Sequence, residues 1–311
     1  MQIDRELTCV QGPSAVALGC FDGMHLGHQL VIGQTVRQSG AVATVFTFEE
    51  APQQVKGNAA PRLTSNRQKL RLMEQAGVKQ VYMVAFSSVQ EMEPEQFVRD
   101  VLVRVCHASM VSCGFNFHFG KGGKGDRVQL QELCAAHGIK TVVCPAVELD
   151  GSTVSSTRIR NLVEKGEMEQ ASRLLGRNFS IDFEVVHGRR LGRQMGTPTI
   201  NQPFPGGFVL PRFGVYASVV EIGETLYFGV TNVGVKPTVG SDRVLAETWI
   251  PDYRGKDMYG ESPVVELLCF MREEQKFSGV EELRSRILQD EESCRRCFLK
   301  WKQKRPEITA K

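Results

Sequence analysis

Two histidines three positions apart, His25 and His28, are the residues of this chain best placed by type and spacing to do chemistry. They follow an apolar run, Ala15-Val16-Ala17-Leu18, that reads as a short buried strand, and they precede residues 29–36, which read as a helix. A helix N-terminus offers free N–H groups and a partial positive charge, both of which favour phosphate. Gly27 lets a bulky anion approach the backbone. If the first helical turn includes them, the two rings share one face and can donate to the same phosphate group. A zinc site is the weaker reading, because no nearby Cys or carboxylate completes a ligand set.

Three further clusters of the first half bear on phosphate chemistry. Gly114-Phe115-Asn116-Phe117-His118-Phe119-Gly120 follows a strand, and Asn116 there can bond a base or a phosphate, or simply shape a turn. Gly120-Lys121-Gly122-Gly123-Lys124-Gly125-Asp126 resembles a P-loop only superficially, since Asp126 stands where Lys and then Ser or Thr would be needed. It reads as a flexible loop whose lysines remain candidates for phosphate. Ser155-Ser156-Thr157-Arg158 opens a helix. Ser and Thr are ordinary caps there, but an Arg in a first turn is better placed with an anion bound over the helix start.

In the second half, Gly196-Thr197-Pro198-Thr199-Ile200-Asn201 reads as a loop. A Thr hydroxyl and an Asn carbonyl two residues apart point the same way if the stretch is extended. Both are hard oxygen donors suited to Mg²⁺ held by phosphates. Glu247 lies in an apparent strand, where a carboxylate ordinarily just faces solvent.

The elements that would position these groups change character along the chain. Residues 41–46, 81–84, 109–113 and 141–144 read as further strands, with helices at 65–76 and from Pro94 to about Val105. Such alternation predicts a Rossmann-like α/β unit with a parallel sheet. Ligands of such sheets bind beyond the carboxyl ends of the strands, where the histidine turn falls. Strands at 213–219, 226–231, 244–249 and 264–268 follow without intervening helices and predict an antiparallel β-barrel or sandwich. Val280, Leu283, Ile287, Cys294, Cys297 and Trp301 mark one face of a terminal helix, interrupted by Asp290. That stripe makes Cys294 and Cys297 core residues rather than a redox or zinc pair. The boundary falls near Leu175-Gly176-Arg177-Asn178, giving units 1–176 and 177–311.

Bulk properties fit an enzyme of the cytoplasm. The 311 residues suffice for two domains, and 38 Lys and Arg against 35 Asp and Glu leave a net charge of +3, too little to imply nucleic-acid binding. No apolar run has the length of a membrane span, and the first residues lack a signal-peptide core. Nine cysteines scattered without a framework of spacings lead to an expectation of reduced thiols.

Gly19-Cys20-Phe21-Asp22-Gly23-Met24-His25-Leu26-Gly27-His28 contains the H-x-G-H signature of nucleotidyltransferases, and the longer stretch resembles bacterial bifunctional riboflavin kinase/FMN adenylyltransferases. Val154-Ser155-Ser156-Thr157-Arg158-Ile159-Arg160 is similar to their I-S-S-T-R-I-R segment, and Pro198-Thr199-Ile200-Asn201 to their P-T-A-N motif. Gly229-Val230-Thr231-Asn232-Val233-Gly234-Val235-Lys236-Pro237-Thr238 resembles their G-V-A-N-I-G-x-R-P-T, and Glu247-Thr248 their E-T pair. The resemblance runs from Gly19 to about Phe277. It implies catalytic roles for His25, His28, Arg158 and Glu247. It implies nucleotide contacts from Phe21, Asp22, Gly27, Asn116, Ser156, Thr157, Thr199 and Asn201, with Thr199 and Asn201 as ligands of Mg²⁺. The implied substrates are riboflavin, FMN and ATP, with no nucleic acid or membrane as partner. Departures are Cys20 for a frequent Asn, Glu49-Glu50-Ala51-Pro52 for the usual x-P-H-P, and Met195 and Thr197 for Leu and Phe. Two other readings exist: adenylyl transfer to a different phosphate acceptor with an accessory barrel, or a flavin- or RNA-binding regulator without turnover. Thr199, Asn201 and Glu247 argue against both.

Overall fold

The structure, a computed structural model, describes residues 1–9, 12–50, 60–188, 197–238, 241–275 and 277–304. The chain forms two compact units, residues 1–156 and 157–311.

The first unit is built on strands β1 (Gln2–Asp4), β2 (Ser14–Leu18), β3 (Val42–Phe48), β4 (Gln80–Val84), β5 (Ala108–Gly114) and β6 (Lys140–Cys144). They form one sheet in the order β1-β4-β3-β2-β5-β6, with every pairing parallel. The connecting helices are α1 (Leu26–Val36), α2 (Asn66–Gln75), α3 (Pro94–Gln96, running on as π-helical turns over Phe97–Val105) and α4 (Arg127–Ala136). All five residues of β2 and of β4 are buried, as a parallel strand covered on both faces requires. Val16, Leu18, Phe46 and Tyr82 pack with Phe97 and Val101 of α3, while Ala17, Val45, Val81 and Met83 pack with Ile32 of α1 and Met73 of α2. The order reverses at β2, which takes β3 on one edge and β5 on the other. The turn after β2 therefore lies at a topological switch point, where open α/β sheets leave a crevice. This is the Rossmann-like architecture that the alternating pattern predicts.

Helices α5 (Ser156–Lys165) and α6 (Met168–Leu175) precede the strands of the second unit: β7 (Phe179–Ile181), β8 (Thr199–Pro203), β9 (Gly214–Ile222), β10 (Thr225–Thr238), β11 (Ser241–Trp249) and β12 (Val264–Arg272). Their order is β7-β12-β9-β10-β11-β8, all antiparallel. A bridge between Val186 and Asn201 and a bond from Gln202 Nε2 to the Phe183 carbonyl at 2.7 Å join the segment after β7 to β8, bending the sheet toward a barrel. Helix α7 (Val280–Gln303) covers Val215, Ala217, Val219 and Phe228 on one sheet face with Cys294, Phe298 and Trp301. The predicted barrel-like unit with a terminal helix is present. Asp290, the polar break in the apolar stripe, is buried and takes Arg272 Nε at 2.9 Å and Arg286 Nε at 3.2 Å.

Two expectations are corrected. The Thr199–Asn201 stretch is strand rather than loop: its polar side chains belong to an edge strand whose backbone pairs with β11. The cysteines are not all free thiols, since Cys269 of β12 and Cys297 of α7 are joined as a disulfide. The pair is 28 residues apart in sequence and meets only because α7 folds back over β12, so no sequence spacing announces it. The segment 189–196 and the x-P-H-P counterpart from Ala51 onward lie outside the described residues.

Candidate active sites

The histidine turn holds an unusual backbone. Phe21, Gly23 and Met24 have φ of 53°, 87° and 45°. Left-handed conformations cost roughly 1 kcal/mol or more for each residue with a Cβ. Phe21 and Met24 are 1% and 2% exposed in the core beneath α1, and burying each side chain returns roughly 1.5–3 kcal/mol, so the turn is held by its anchors. The Asp22 carboxylate tightens it further, accepting from the Leu63 and Thr64 backbone N–H groups at 3.0 and 3.2 Å and from the Thr64 hydroxyl at 3.3 Å. Ser156, the first residue of α5, donates its hydroxyl to the Asp22 carbonyl at 2.8 Å. Asp22 and Ser156 thus shape the turn.

His25 caps α1, its Nδ1 accepting the His28 backbone N–H at 3.4 Å. That bond makes Nδ1 an acceptor, so a neutral His25 ring carries its proton on Nε2 as a donor. The His25 and His28 rings stack with centroids 3.6 Å apart, and Phe21 stands edge-on to His28 at 5.4 Å. Gly27 leaves room for the His25 ring: a Cβ on it would lie 3.2 Å from His25 Cε1, so the ring would have to give by a few tenths of an ångström. The result is two stacked imidazoles at a helix N-terminus, a donor set suited to phosphate oxygens.

A lysine that the sequence reading did not single out lies beside the turn. Lys69 of α2 is buried, and its Nζ donates to the Phe48 carbonyl at the end of β3 at 3.4 Å. Burial lowers its pKa to about 8, against the opposing attraction of Asp22 and Cys20. The Cys20 thiol is pushed up by the same burial, with Lys69 working the other way. Asn116, just beyond β5, is exposed. The lysines of the glycine-rich loop face carboxylates: Lys121 pairs with Glu91 at 2.9 Å and Lys124 stands 4.0 Å from Glu93. Thr157 is exposed and Arg158 half-buried in the first turn of α5.

In the second unit the strand register assembles the site. Asn201 of β8 stands opposite Glu247 of β11, and Asn232 of β10 stands opposite the same Glu247 from the other side. Thr199 lies two residues before Asn201, opposite Trp249, and so shares that face. The direction of Glu247 is fixed by its neighbour. Thr248 is fully buried and closes a chain of hydroxyls, Ser218 to Thr231 at 2.7 Å and Thr231 to Thr248 at 2.9 Å, on the opposite face. A one-residue slip would expose that chain and bury the carboxylate. Asn201 is 7% exposed, and its amide occupies the space a Cβ on Gly188 would need. Asn232 donates to Glu274 Oε1 at 3.1 Å. The structure thus brings Thr199, Asn201 and Glu247 to one face and adds Asn232, whose only sequence signal was its place in the Gly229–Thr238 segment. Among the described residues no group of three or more His, Cys, Asp or Glu could hold a metal. The hydroxyl and amide oxygens of Thr199 and Asn201 remain a hard, neutral donor set of the kind Mg²⁺ accepts alongside phosphates.

Comparison with known proteins matches both units. A family model described as FAD synthetase matches residues 8–158, and one described as riboflavin kinase matches residues 175–298. The bifunctional riboflavin kinase/FMN adenylyltransferase of Listeria monocytogenes is 34% identical over 293 residues, 92% of each chain. Those of Bacillus subtilis and Escherichia coli are 34% and 33% identical, over 93% and 91% of this chain and 93% and 92% of their own. A crystal structure described as a macrolide-efflux protein from Streptococcus pneumoniae is similar with a TM-score of 0.82 and 28% identity, over 94% of this chain and 98% of that one. No helix among the described residues is long and apolar enough to cross a membrane.

Proposed function

The chain belongs to the family of bifunctional riboflavin kinases/FMN adenylyltransferases, and we propose that its two reactions rest on the two constellations described above. The enzyme phosphorylates riboflavin with ATP to give FMN, then adenylylates FMN with a second ATP to give FAD and pyrophosphate. The observation that carries the assignment of residues is the register that sets Asn201 and Glu247 face to face on adjacent strands.

In the kinase reaction, which we assign to residues 177–311, the terminal ribityl hydroxyl of riboflavin attacks the γ-phosphorus of ATP. Its proton passes to a Glu247 carboxylate oxygen, and ADP leaves. Thr199 and Asn201 would hold Mg²⁺, which when bound neutralises phosphate charge. Their oxygens and the Glu247 carboxylate share one sheet face, so the base and the phosphates would be presented to the same hydroxyl.

In the adenylyl transfer, assigned to residues 1–176, an FMN phosphate oxygen attacks the α-phosphorus of ATP and pyrophosphate departs. A phosphate is already ionised at neutral pH, so no strong base is required. The work is alignment and charge neutralisation, by His25 Nε2–H, by His28, and by Arg158 in the first turn of α5. Phe21, Asp22, Gly27 and Ser156 set the shape of the nucleotide turn, and we place Asn116 and Thr157 against the nucleotide. Such chemistry belongs to the cytoplasm, where riboflavin and ATP are at hand.

The test is a time course of the purified chain with riboflavin and Mg-ATP, with the flavins separated by chromatography. FMN should appear first and FAD follow, and chelation of the metal should stop both. Unchanged riboflavin would refute the reading. Conversion to FMN without FAD would refute the adenylyltransferase half.

A further inference from the structure

The Asn232–Glu274 contact is not used by the chemistry described so far. Asn232 faces Glu247 across the β10–β11 pair and donates its amide N–H to Glu274 Oε1 at 3.1 Å. Glu274 lies two residues beyond the end of β12. Its carboxylate is seated directly on Gly234, where a Cβ would overlap both carboxylate oxygens. Gly234 and Asn232 are two residues apart on β10 and so lie on the same face as Glu247. A hydrogen-bond donor and a missing side chain therefore independently fix one carboxylate on the face that carries the other.

From this we infer that Glu274 is a specificity-determining residue of the kinase site. It accepts a hydrogen bond from a ribityl hydroxyl other than the one phosphorylated. Glu247 takes the proton of the terminal hydroxyl, and Glu274, held beside it through Asn232, reads a hydroxyl further along the same chain. The inference rests on the kinase assignment and names how that site tells a polyhydroxylated flavin from one without the chain.

The test compares the full chain with Glu274→Gln, using riboflavin and analogues that each lack one internal ribityl hydroxyl. Charge-assisted hydrogen bonds predict a rise in the KM for riboflavin of about tenfold or more in the variant. The KM for ATP should be unchanged, which reports a folded kinase unit, and so should FAD formation from supplied FMN. Wild type should disfavour one of the deoxy analogues by a similar factor, and the variant should treat that analogue and riboflavin alike. Gly234→Ala, which displaces the carboxylate without removing it, should reproduce the loss. A Glu274→Gln enzyme that keeps the wild-type riboflavin KM, or that loses riboflavin and ATP affinity equally, would overturn the inference. So would unchanged discrimination among the analogues. Failure of wild type to form any FMN would instead overturn the kinase assignment, and the two outcomes are distinct.

Discussion

At the scale of single residues, Lys69 gives the sharpest pH prediction. An unfolded lysine titrates near its ordinary 10.5, whereas burial brings Lys69 in the folded chain to about 8. Between those values the unfolded state binds more protons than the folded state, so stability rises with pH across that window. Below pH 8 the lysine is charged in both states, and the cost of burying the charge is fully present. The difference amounts to on the order of 3 kcal/mol. Denaturant titrations of wild type and Lys69→Met from pH 7 to 10 should show wild type gaining on the variant as the pH rises. Parallel curves would mean that the ammonium is solvated.

The residues legible in the sequence were those whose chemistry and spacing are local. His25 and His28 lie one helical turn apart, and Thr199 and Asn201 lie two residues apart, so each pair announces itself within a few positions. Lys69 gave no such signal, because a lysine in an amphipathic helix ordinarily points to solvent. Here it runs inward to the Phe48 carbonyl. The partnership of Asn232 and Glu274 spans 42 positions and exists only in the folded register.

At the scale of elements, fully buried strands were read correctly because an uninterrupted apolar run has few alternatives. Strand β1 was missed for the opposite reason: Gln2-Ile3-Asp4 is a polar three-residue edge that only its pairing with β4 reveals. Strand β8 was taken for a loop because Pro198 and its polar residues look like turn chemistry. Helix α7 shows what periodicity can and cannot say. Its apolar stripe was visible, while the reason for Asp290 within it was not. Asp290 and Arg272 are 7% and 14% exposed and joined by paired bonds from the guanidinium, Nε at 2.9 Å and Nη2 at 2.5 Å. Removing one member of a buried pair costs about 3 kcal/mol or more, because the other charge is left without its counterpart. Asp290→Asn should therefore lower the urea midpoint for loss of kinase activity, with adenylyl transfer from supplied FMN following its wild-type curve. An unchanged midpoint would show that the pair contributes no more than a solvated surface bridge.

At the scale of the whole molecule, the contrast between alternating β and α segments and a run of strands was enough to read two architectures in one chain. The alternation fixes parallel pairing, because a crossover helix returns each strand in the same direction. Short connections without helices fix antiparallel pairing. The sequence did not reveal the Cys269–Cys297 link, which depends on how a helix lies across a sheet.

The central claim is that the two reactions use two separate sets of residues, and complementation tests it most directly. Glu247→Gln should lose FMN formation yet convert supplied FMN to FAD. His28→Ala should form FMN while its adenylyl transfer falls by roughly two to three powers of ten, as expected for loss of one transition-state donor. Neither variant alone should produce much FAD from riboflavin, and an equimolar mixture should restore it, with FMN passing through solution. If either folded variant loses both activities, or if the mixture makes no more FAD than its parts, the division of chemistry between the two constellations is wrong.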